Sequence, residues 1–226
     1  EQAINAVIAR HEILRTVFAE NDGSPVQIVL PSLEISILVI DLVDVPEAAH
    51  DAKAREIALA EARKPFDLHA APLLRATILS FGDNDYLLLM NVDHSVLDGG
   101  SMAIFFKEIA AHYEAFLDGQ SYTPAPLAVQ YADYAVWQRE RTRDETLKPQ
   151  LEHWTRQLSH GSPQTELPVD HGRPPVQTSR GKRLAKTLSP ELTAELKALS
   201  RHEGVTLFMT LLAAFDIIVS RHTGSE

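Results

Sequence analysis

The sequence predicts an α/β fold, because segments with helical spacing alternate with strand-like apolar runs along its 226 residues. The clearest strands are 73–81 and 86–92, and a Gly-Asp-Asn-Asp sequence typical of a β-hairpin separates them. The second strand leads into Asp93-His94 and then into Asp98-Gly99-Gly100, before an amphipathic segment begins. A strand, a polar loop, glycines and a helix in this order are typical of a functional site.

The elements before this hairpin follow from apolar spacing. Apolar residues at helical intervals predict a first helix over 1–17, and the polar segment 21–25 predicts a turn. Two short apolar runs, 26–30 and 35–40, indicate strands. The segment 47–64 is rich in Ala, Glu, Lys and Arg, which predicts a helix that ends before the following proline.

A long helix is predicted after Gly100, with one apolar face formed by Phe105, Ile109, Tyr113 and Phe116. The segment 118–127 contains glycine and prolines and indicates a surface connection. Two further helices are expected near 128–142 and 145–159. On the first of these, three aromatic residues at helical spacing are expected to face the core: Tyr131, Tyr134 and Trp137.

The last part of the chain begins with a segment rich in proline and glycine, 160–181, which is expected to be a linker. A strand is predicted at 182–188. The sequence Ser-Pro-Glu at 189–191 then indicates a capped helix start. An apolar helix is predicted over about 205–221.

Composition excludes several classes of function. The formal net charge of −10 argues against a nucleic-acid backbone as partner. No cysteine is present, so disulfides, thiolate metal sites and a thiol nucleophile are excluded, which suits a cytoplasmic protein. No apolar run approaches the roughly 18 residues of a membrane span. An apolar share of 45% is ample for a packed core.

His94 is the leading catalytic candidate. A neutral imidazole near pH 7 can take a proton from an attacking amine or hydroxyl, or hold that nucleophile in place. The alternative is a structural histidine whose ring is hydrogen-bonded within the turn between the hairpin and the helix. Asp98 could be a competing base or an anchor that holds the loop, and the anchor is the better interpretation because a glycine turn follows it.

The neighbouring positions allow supporting roles. Gly99 and Gly100 could lend backbone N–H groups at a helix start or could simply form a turn. Ser101 is expected to cap the helix. Asp93 could orient an imidazole, accept a hydrogen bond from a substrate amine, or cap the strand end. No metal site is predicted, because ligands four positions apart align only on a helix and this segment precedes one.

Six ordered segments resemble the condensation domains of nonribosomal peptide synthetases. His94-x-x-x-Asp98-Gly99 is similar to the His-His-x-x-x-Asp-Gly signature of that family, with Asp93 where the family usually has its first histidine. Residues 10–18 resemble the family's Arg-His-Glu-x-Leu-Arg-Thr-x-Phe motif at every fixed position. The other similar segments are 65–68 with 72–75, 131–137, 167–170 and 204–208.

The resemblance implies a chloramphenicol-acetyltransferase-like architecture, an α+β two-layer sandwich. It places the N-terminal lobe at 1–165, without the family's first motif, an inter-lobe linker at 166–181, and the beginning of a similar C-terminal lobe at 182–226. In the family the two lobes form a V, and the active site lies between them. The resemblance also implies that His94 faces the reaction. Asp98 would then pair with an arginine of the Arg10/Arg15 motif, and Arg15 is the expected partner.

The activity implied by the resemblance is acyl transfer. A carrier-bound acyl or peptidyl thioester would donate to a carrier-bound aminoacyl group. Phosphopantetheine would arrive on the partner carrier proteins, and no cofactor would be bound by the chain itself. The expected partners are donor and acceptor peptidyl carrier domains and a neighbouring adenylation domain, with neither nucleic acid nor membrane.

Three alternatives stay open. A related acyltransferase could use a free amine, an alcohol or a coenzyme A donor, and an epimerising relative would share the signature. A catalytically silent recruitment domain is the third, and Asp93 would permit it. Residues 1–226 by themselves are expected to be inactive, because the active site of the family lies in a tunnel between the lobes and one wall of it belongs to the second lobe. The apolar helix at 205–221 is expected to favour self-association.

Overall fold

The structure, a computed structural model, describes residues 1–82, 84–142, 144–159, 161, 165–176 and 181–224. The chain divides into two compact units, Glu1–Lys148 and Pro149–Glu226. The helices and strands follow one another as α1 (Gln2–Arg10), β1 (Thr16–Asn21), β2 (Ser24–Val29), β3 (Leu38–Asp41), α2 (His50–Ala62), β4 (Leu74–Gly82), β5 (Asp85–Val92), α3 (Gly99–Leu117), α4 (Tyr131–Arg141), α5 (Asp144–Leu158), α6 (Pro190–His202) and α7 (Leu207–Thr223).

The first unit contains two small sheets. β1 and β2 form an antiparallel hairpin, which the turn predicted at 21–25 joins. The other sheet has the order β3-β4-β5, with β3 parallel and β5 antiparallel to β4. A parallel pair needs a crossover connection, and α2 lies in the connection between β3 and β4. The predicted hairpin of β4 and β5 is confirmed, although Asp83 of its turn lies outside the described residues.

β4 is the central strand, and its two faces contribute to different apolar clusters. Leu74 and Ala76 point to one face and join Val7 and Ile8 of α1 in the larger cluster. Leu79, on the opposite face because strand side chains alternate, belongs to a smaller cluster. The larger cluster also contains two residues that flank the start of α3: Val96 and Phe105.

Two predicted elements differ from the structure. The first helix ends at Arg10 rather than near residue 17, because His11 takes an extended conformation and Thr16 begins the pairing of β1 with β2. Helical spacing could not reveal that competing strand pairing. The strand predicted at 182–188 is also wrong: these residues are exposed, and no described strand pairs with them.

The expected inward faces of two helices need correction. Phe105 and Ile109 of α3 do contact the core, but Tyr113 and Phe116 are exposed and His112 is buried in their place. On α4, the aromatic residues expected in the core are 43–52% exposed. They contact one another instead, and Arg141 lies 5.1 Å above the Trp137 ring. Helical spacing predicts that such rings contact one another, but it does not predict whether another element packs over them.

The second unit contains α6 and α7. The helix start predicted at 189–191 is confirmed, because the Ser189 hydroxyl accepts a hydrogen bond from the Leu192 N–H at 3.2 Å. The buried Ser200 hydroxyl lies 2.7 Å from the Thr210 hydroxyl, which connects the two helices. No single described helix is long and apolar enough to cross a membrane, and only α6 and α7 together, bent by 102°, reach that length and composition.

The division between the compact units does not coincide with the expected lobe boundaries. It falls within α5, ahead of residue 165. Part of the expected linker lies outside the described residues, at 160, 162–164 and 177–180. The assignment of two lobes with a linker at 166–181 therefore stays a prediction.

The central position of β4 predicts a large difference between two leucines of the same sheet. Leu74 is 1% exposed and Leu38 is 57% exposed. We expect Leu74→Ala to lower the free energy of unfolding by about 2–5 kcal/mol, because it leaves a cavity in the core. Leu38→Ala should change it by no more than about 0.5 kcal/mol. Urea unfolding followed by circular dichroism measures both, and equal losses would contradict the assigned core.

Candidate functional site

The loop 93–98 is held at its start by a backbone hydrogen bond and in its middle by the larger core cluster. At its start, the Asp93 N–H donates to the Leu73 carbonyl oxygen at 2.9 Å, which extends the pairing of β4 with β5 by one step. Inside the loop, the Val96 N–H donates to the Asp93 carbonyl oxygen at 3.1 Å, and the Val96 side chain is buried. His94 lies between these two anchored residues, so a short, tight turn presents its ring to solvent.

Asp93 is bonded within its own turn. Its Oδ1 accepts hydrogen bonds from the Ser95 hydroxyl at 2.6 Å and from the Ser95 N–H at 2.9 Å. The Ser95 hydroxyl, and after it the Ser95 N–H, lower the pKa of Asp93. Asp93 is therefore ionised at neutral pH and a weak proton acceptor there. Of the interpretations left open by the sequence, these contacts favour capping the strand end.

Asp98 caps α3. Its Oδ1 accepts hydrogen bonds from the Ser101 hydroxyl at 2.6 Å and from the Ser101 N–H at 2.8 Å. These two bonds, in that order, are the main causes that lower the pKa of Asp98, and the nearby His94 contributes as well. The expectation that Ser101 is the cap is wrong. The carboxylate in the N-cap position accepts the hydrogen bond, and Ser101 donates it from the first turn.

The predicted Asp98–Arg15 ion pair is not formed. Arg15 donates to the carbonyl oxygen of Leu30, and its Nη2 lies 3.4 Å from an oxygen of Glu12. Among the described residues, no ion pair reaches Asp98, whose carboxylate is exposed. The physical reason is position: Arg15 ends the short 3₁₀ turn Glu12–Arg15 and closes the β1–β2 hairpin, where Leu30 is its neighbour.

Gly99 and Gly100 are the first residues of α3. A Cβ at Gly99 would meet no atom within 4 Å, and one at Gly100 would meet only the Asp98 carboxylate, at 3.5 Å. Sterics within this chain therefore do not demand glycine at either position. Their role as backbone donors stays a prediction.

Arg10 belongs to a charged cluster that sequence reasoning did not identify. Its Nε donates to Glu108 Oε1 at 3.2 Å, and the other oxygen of Glu108 lies 2.7 Å from His11 Nε2. Arg10 Nη1 also donates to the Ala125 carbonyl oxygen at 2.7 Å. The sequence did contain a signal for this contact. Glu108 lies one helical turn after Phe105, which places a charged residue on the side of α3 that faces the core.

These geometries leave one polar ring of the loop, that of His94, without a hydrogen-bond partner among the described residues. Both carboxylates are engaged by serines, and their pKa values lie below the ordinary value. The His94 ring is exposed and forms no hydrogen bond within the described part of the chain. Among the described residues, no group of three or more His, Cys, Asp and Glu side chains could hold a metal ion.

Comparisons with known proteins agree with the motifs. The family model described as Condensation domain matches residues 1–226. A linear gramicidin synthase polypeptide of Brevibacillus parabrevis is 44% identical over 226 residues, which are 100% of this chain and 3% of that protein. The chain is thus similar to a small part of a much longer polypeptide.

Two solved structures show the same fold. The X-domain from teicoplanin biosynthesis is 28% identical with a TM-score of 0.83, over 97% of this chain and 48% of that one. The X-domain in its complex with OxyB, from the same biosynthesis, is 30% identical with a TM-score of 0.81, over 100% of this chain and 49% of that one. These likenesses confirm the predicted α/β fold class.

The capping role of Asp98 predicts a pH-dependent loss of stability on substitution. A carboxylate whose pKa falls on folding stabilises the folded state above its unfolded value, and the contribution disappears as the pH falls through the lower folded pKa. Asp98→Ala should therefore lower the Tm at pH 7, and the difference should narrow below the ordinary value of 3.8.

Asp98→Asn is the matched control, since its amide oxygen can still accept from Ser101. It should keep the Tm closer to that of the natural chain at pH 7. Thermal unfolding followed by circular dichroism between pH 3 and pH 7 measures both variants. A difference in Tm that does not change with pH would contradict the ionised cap. An Asn variant as unstable as the Ala variant would contradict a contribution from the acceptor oxygen without its charge.

Proposed function

Because the chain belongs to the condensation-domain family, we propose that it carries part of an acyltransferase that forms amide bonds in nonribosomal peptide synthesis. The donor is an acyl or peptidyl thioester on one carrier domain, and the acceptor is an aminoacyl group on another. The observation that carries this proposal is the exposed imidazole of His94, which forms no hydrogen bond to any described residue and lies between two carboxylates that local donors already occupy. Similarity to a linear gramicidin synthase along the whole chain supports it.

The reaction places limited demands on the protein. The amine nitrogen attacks the thioester carbonyl carbon, the C–N bond forms, the C–S bond breaks, and a proton passes from the amine to the departing thiolate. His94 takes the proton from the amine or holds the amine in line for attack. Holding both reactants close together supplies much of the remaining acceleration. The phosphopantetheine arms belong to the carrier-bound substrates and deliver the reacting groups.

The other site residues have supporting roles in this proposal. Asp98 holds the start of α3 and shapes the turn that presents His94. Arg15 holds the β1–β2 hairpin, and Arg10 ties α1 to α3. Gly99 is the first residue of α3, and its backbone N–H is proposed as a donor to the substrate carbonyl.

The partners are proposed on the same basis. The chain spans 3% of the gramicidin synthase polypeptide, so most of such a protein consists of other domains. Donor and acceptor carrier domains and an adenylation domain are the partners that amide formation requires. Residues 1–226 by themselves are proposed to be inactive. The exposed apolar side chains of α7, among them Phe208 and Phe215, support a surface that needs a further contact.

A second function, recruitment of another protein without catalysis, is favoured by two observations. Asp93 stands where the family usually has a histidine, and its carboxylate is committed to Ser95. One similar solved structure is described as a complex of an X-domain with OxyB. In this alternative the same fold would hold a partner protein, and His94 would not affect product formation.

We expect His94→Ala in the full-length synthetase to lower single-turnover amide formation about 10²- to 10⁴-fold, because a positioned acid–base group contributes about that much. The measurement is mass spectrometry of loaded carriers. His69→Ala is the matched control, since His69 is an exposed histidine whose neighbour is Asp67. It should leave the rate and the Tm unchanged.

The outcomes separate the two functions. A His94→Ala rate equal to that of the natural enzyme would contradict catalysis by His94. A natural enzyme that binds a partner protein but transfers no acyl group would support recruitment.

A further inference from the structure

We propose that Glu108 is a positioning residue for His94. Glu108 locks α3 to the end of α1, and α3 in turn places the loop 93–98. The inference rests on the proposed function of His94 and adds a residue that lies outside the signature motif.

Both oxygens of Glu108 are used. Oε1 accepts from Arg10 Nε at 3.2 Å, and Oε2 lies 2.7 Å from His11 Nε2. The three side chains are only 15–21% exposed, so water competes weakly for these contacts. Hydrogen bonds to a charged group are stronger than those between neutral groups. Two of them, to adjacent residues at the end of α1, hold the carboxylate in one orientation.

The contacts around Glu108 join four parts of the chain. Arg10 reaches on to the carbonyl oxygen of Ala125, in the connection after α3. The Gln130 amide group donates to the Arg10 carbonyl oxygen at 3.0 Å and accepts from the Glu12 N–H at 3.2 Å. The end of α1, the middle of α3, the connection after it and the start of α4 therefore meet at one cluster.

The helix carries this constraint to the site. Glu108 lies about 15 Å along α3 from Asp98, at a rise of about 1.5 Å per residue. Between them only Phe105 is buried, and the contacts of Glu108 add a fixed polar attachment to that apolar contact. Any slide or rotation of α3 moves Asp98, which caps the helix and ends the loop that presents His94. Glu108 thus sets the distance from His94 to a substrate held elsewhere.

The alternative is an ion pair that only stabilises the fold. In that case Glu108→Ala would lower the Tm and the fraction of folded enzyme by the same amount whether or not His94 is present. A positioning role predicts a lower kcat at unchanged KM for the carriers, and an effect that depends on His94. A misplacement of about 1 Å can cost about 10²-fold in rate.

The test uses the full-length synthetase with Glu108→Ala, Glu108→Gln and the control Glu114→Gln, an exposed carboxylate on the same helix. We expect Glu108→Ala to lower kcat about 10-fold or more at temperatures well below its Tm, with the KM of both carriers unchanged. Glu108→Gln, which keeps the length and an acceptor oxygen, should recover part of the rate. Glu114→Gln should match the natural enzyme.

A double-mutant cycle with His94→Ala completes the test. If Glu108 acts through His94, Glu108→Ala should have little further effect on the residual rate of His94→Ala. Equal losses in both backgrounds, an unchanged kcat, or a loss explained by unfolding would each overturn the inference and leave the function of His94 standing. A His94→Ala enzyme as fast as the natural one would instead overturn the proposed function.

Discussion

The packing of α1 against β4 and the start of α3 is the interaction on which the rest of the first unit depends. Val7 and Ile8 of α1 are fully buried, and they share their cluster with Leu74, Val96 and Phe105. Through those last three residues the same apolar contact holds β4, the middle of the loop and the helix after it, and β4 pairs with β5, the strand before the loop. An exposed histidine is placed accurately because the Asp93 backbone before it is bonded to Leu73 and the Val96 side chain after it is buried.

Two kinds of polar contact shape the site: contacts between residues close in sequence form the loop, and contacts between residues distant in sequence position it. Asp93 and Asp98 bond to serines two and three residues away, so the loop forms from its own side chains. These bonds lower the pKa of both carboxylates and keep them charged at neutral pH. Contacts distant in sequence, from Arg10 and His11 to Glu108, do something different: they place the formed loop relative to α1.

This division explains why the arginines of the first motif do not contact the signature aspartate. Arg15 serves the β1–β2 hairpin, and Arg10 serves α3 through Glu108. Both support the site from elements beside it. A carboxylate already satisfied by a hydroxyl and an N–H gains less from a guanidinium, whereas the half-buried Glu108 has no nearer donor than Arg10 and His11 among the described residues.

The sequence by itself determined the α/β class, the β4–β5 hairpin, the helix that follows, the capped start of α6 and the position of His94 at a strand end. These follow from local rules of spacing, turn chemistry and capping, which neighbouring residues satisfy among themselves. Only the tertiary structure decided that α1 ends at Arg10, that Tyr134 and Trp137 face outward, and that Arg15 turns away from Asp98. Those outcomes depend on which of several possible partners lies within reach, and residues about 100 positions apart, such as Arg10 and Glu108, meet only when packing brings their elements together.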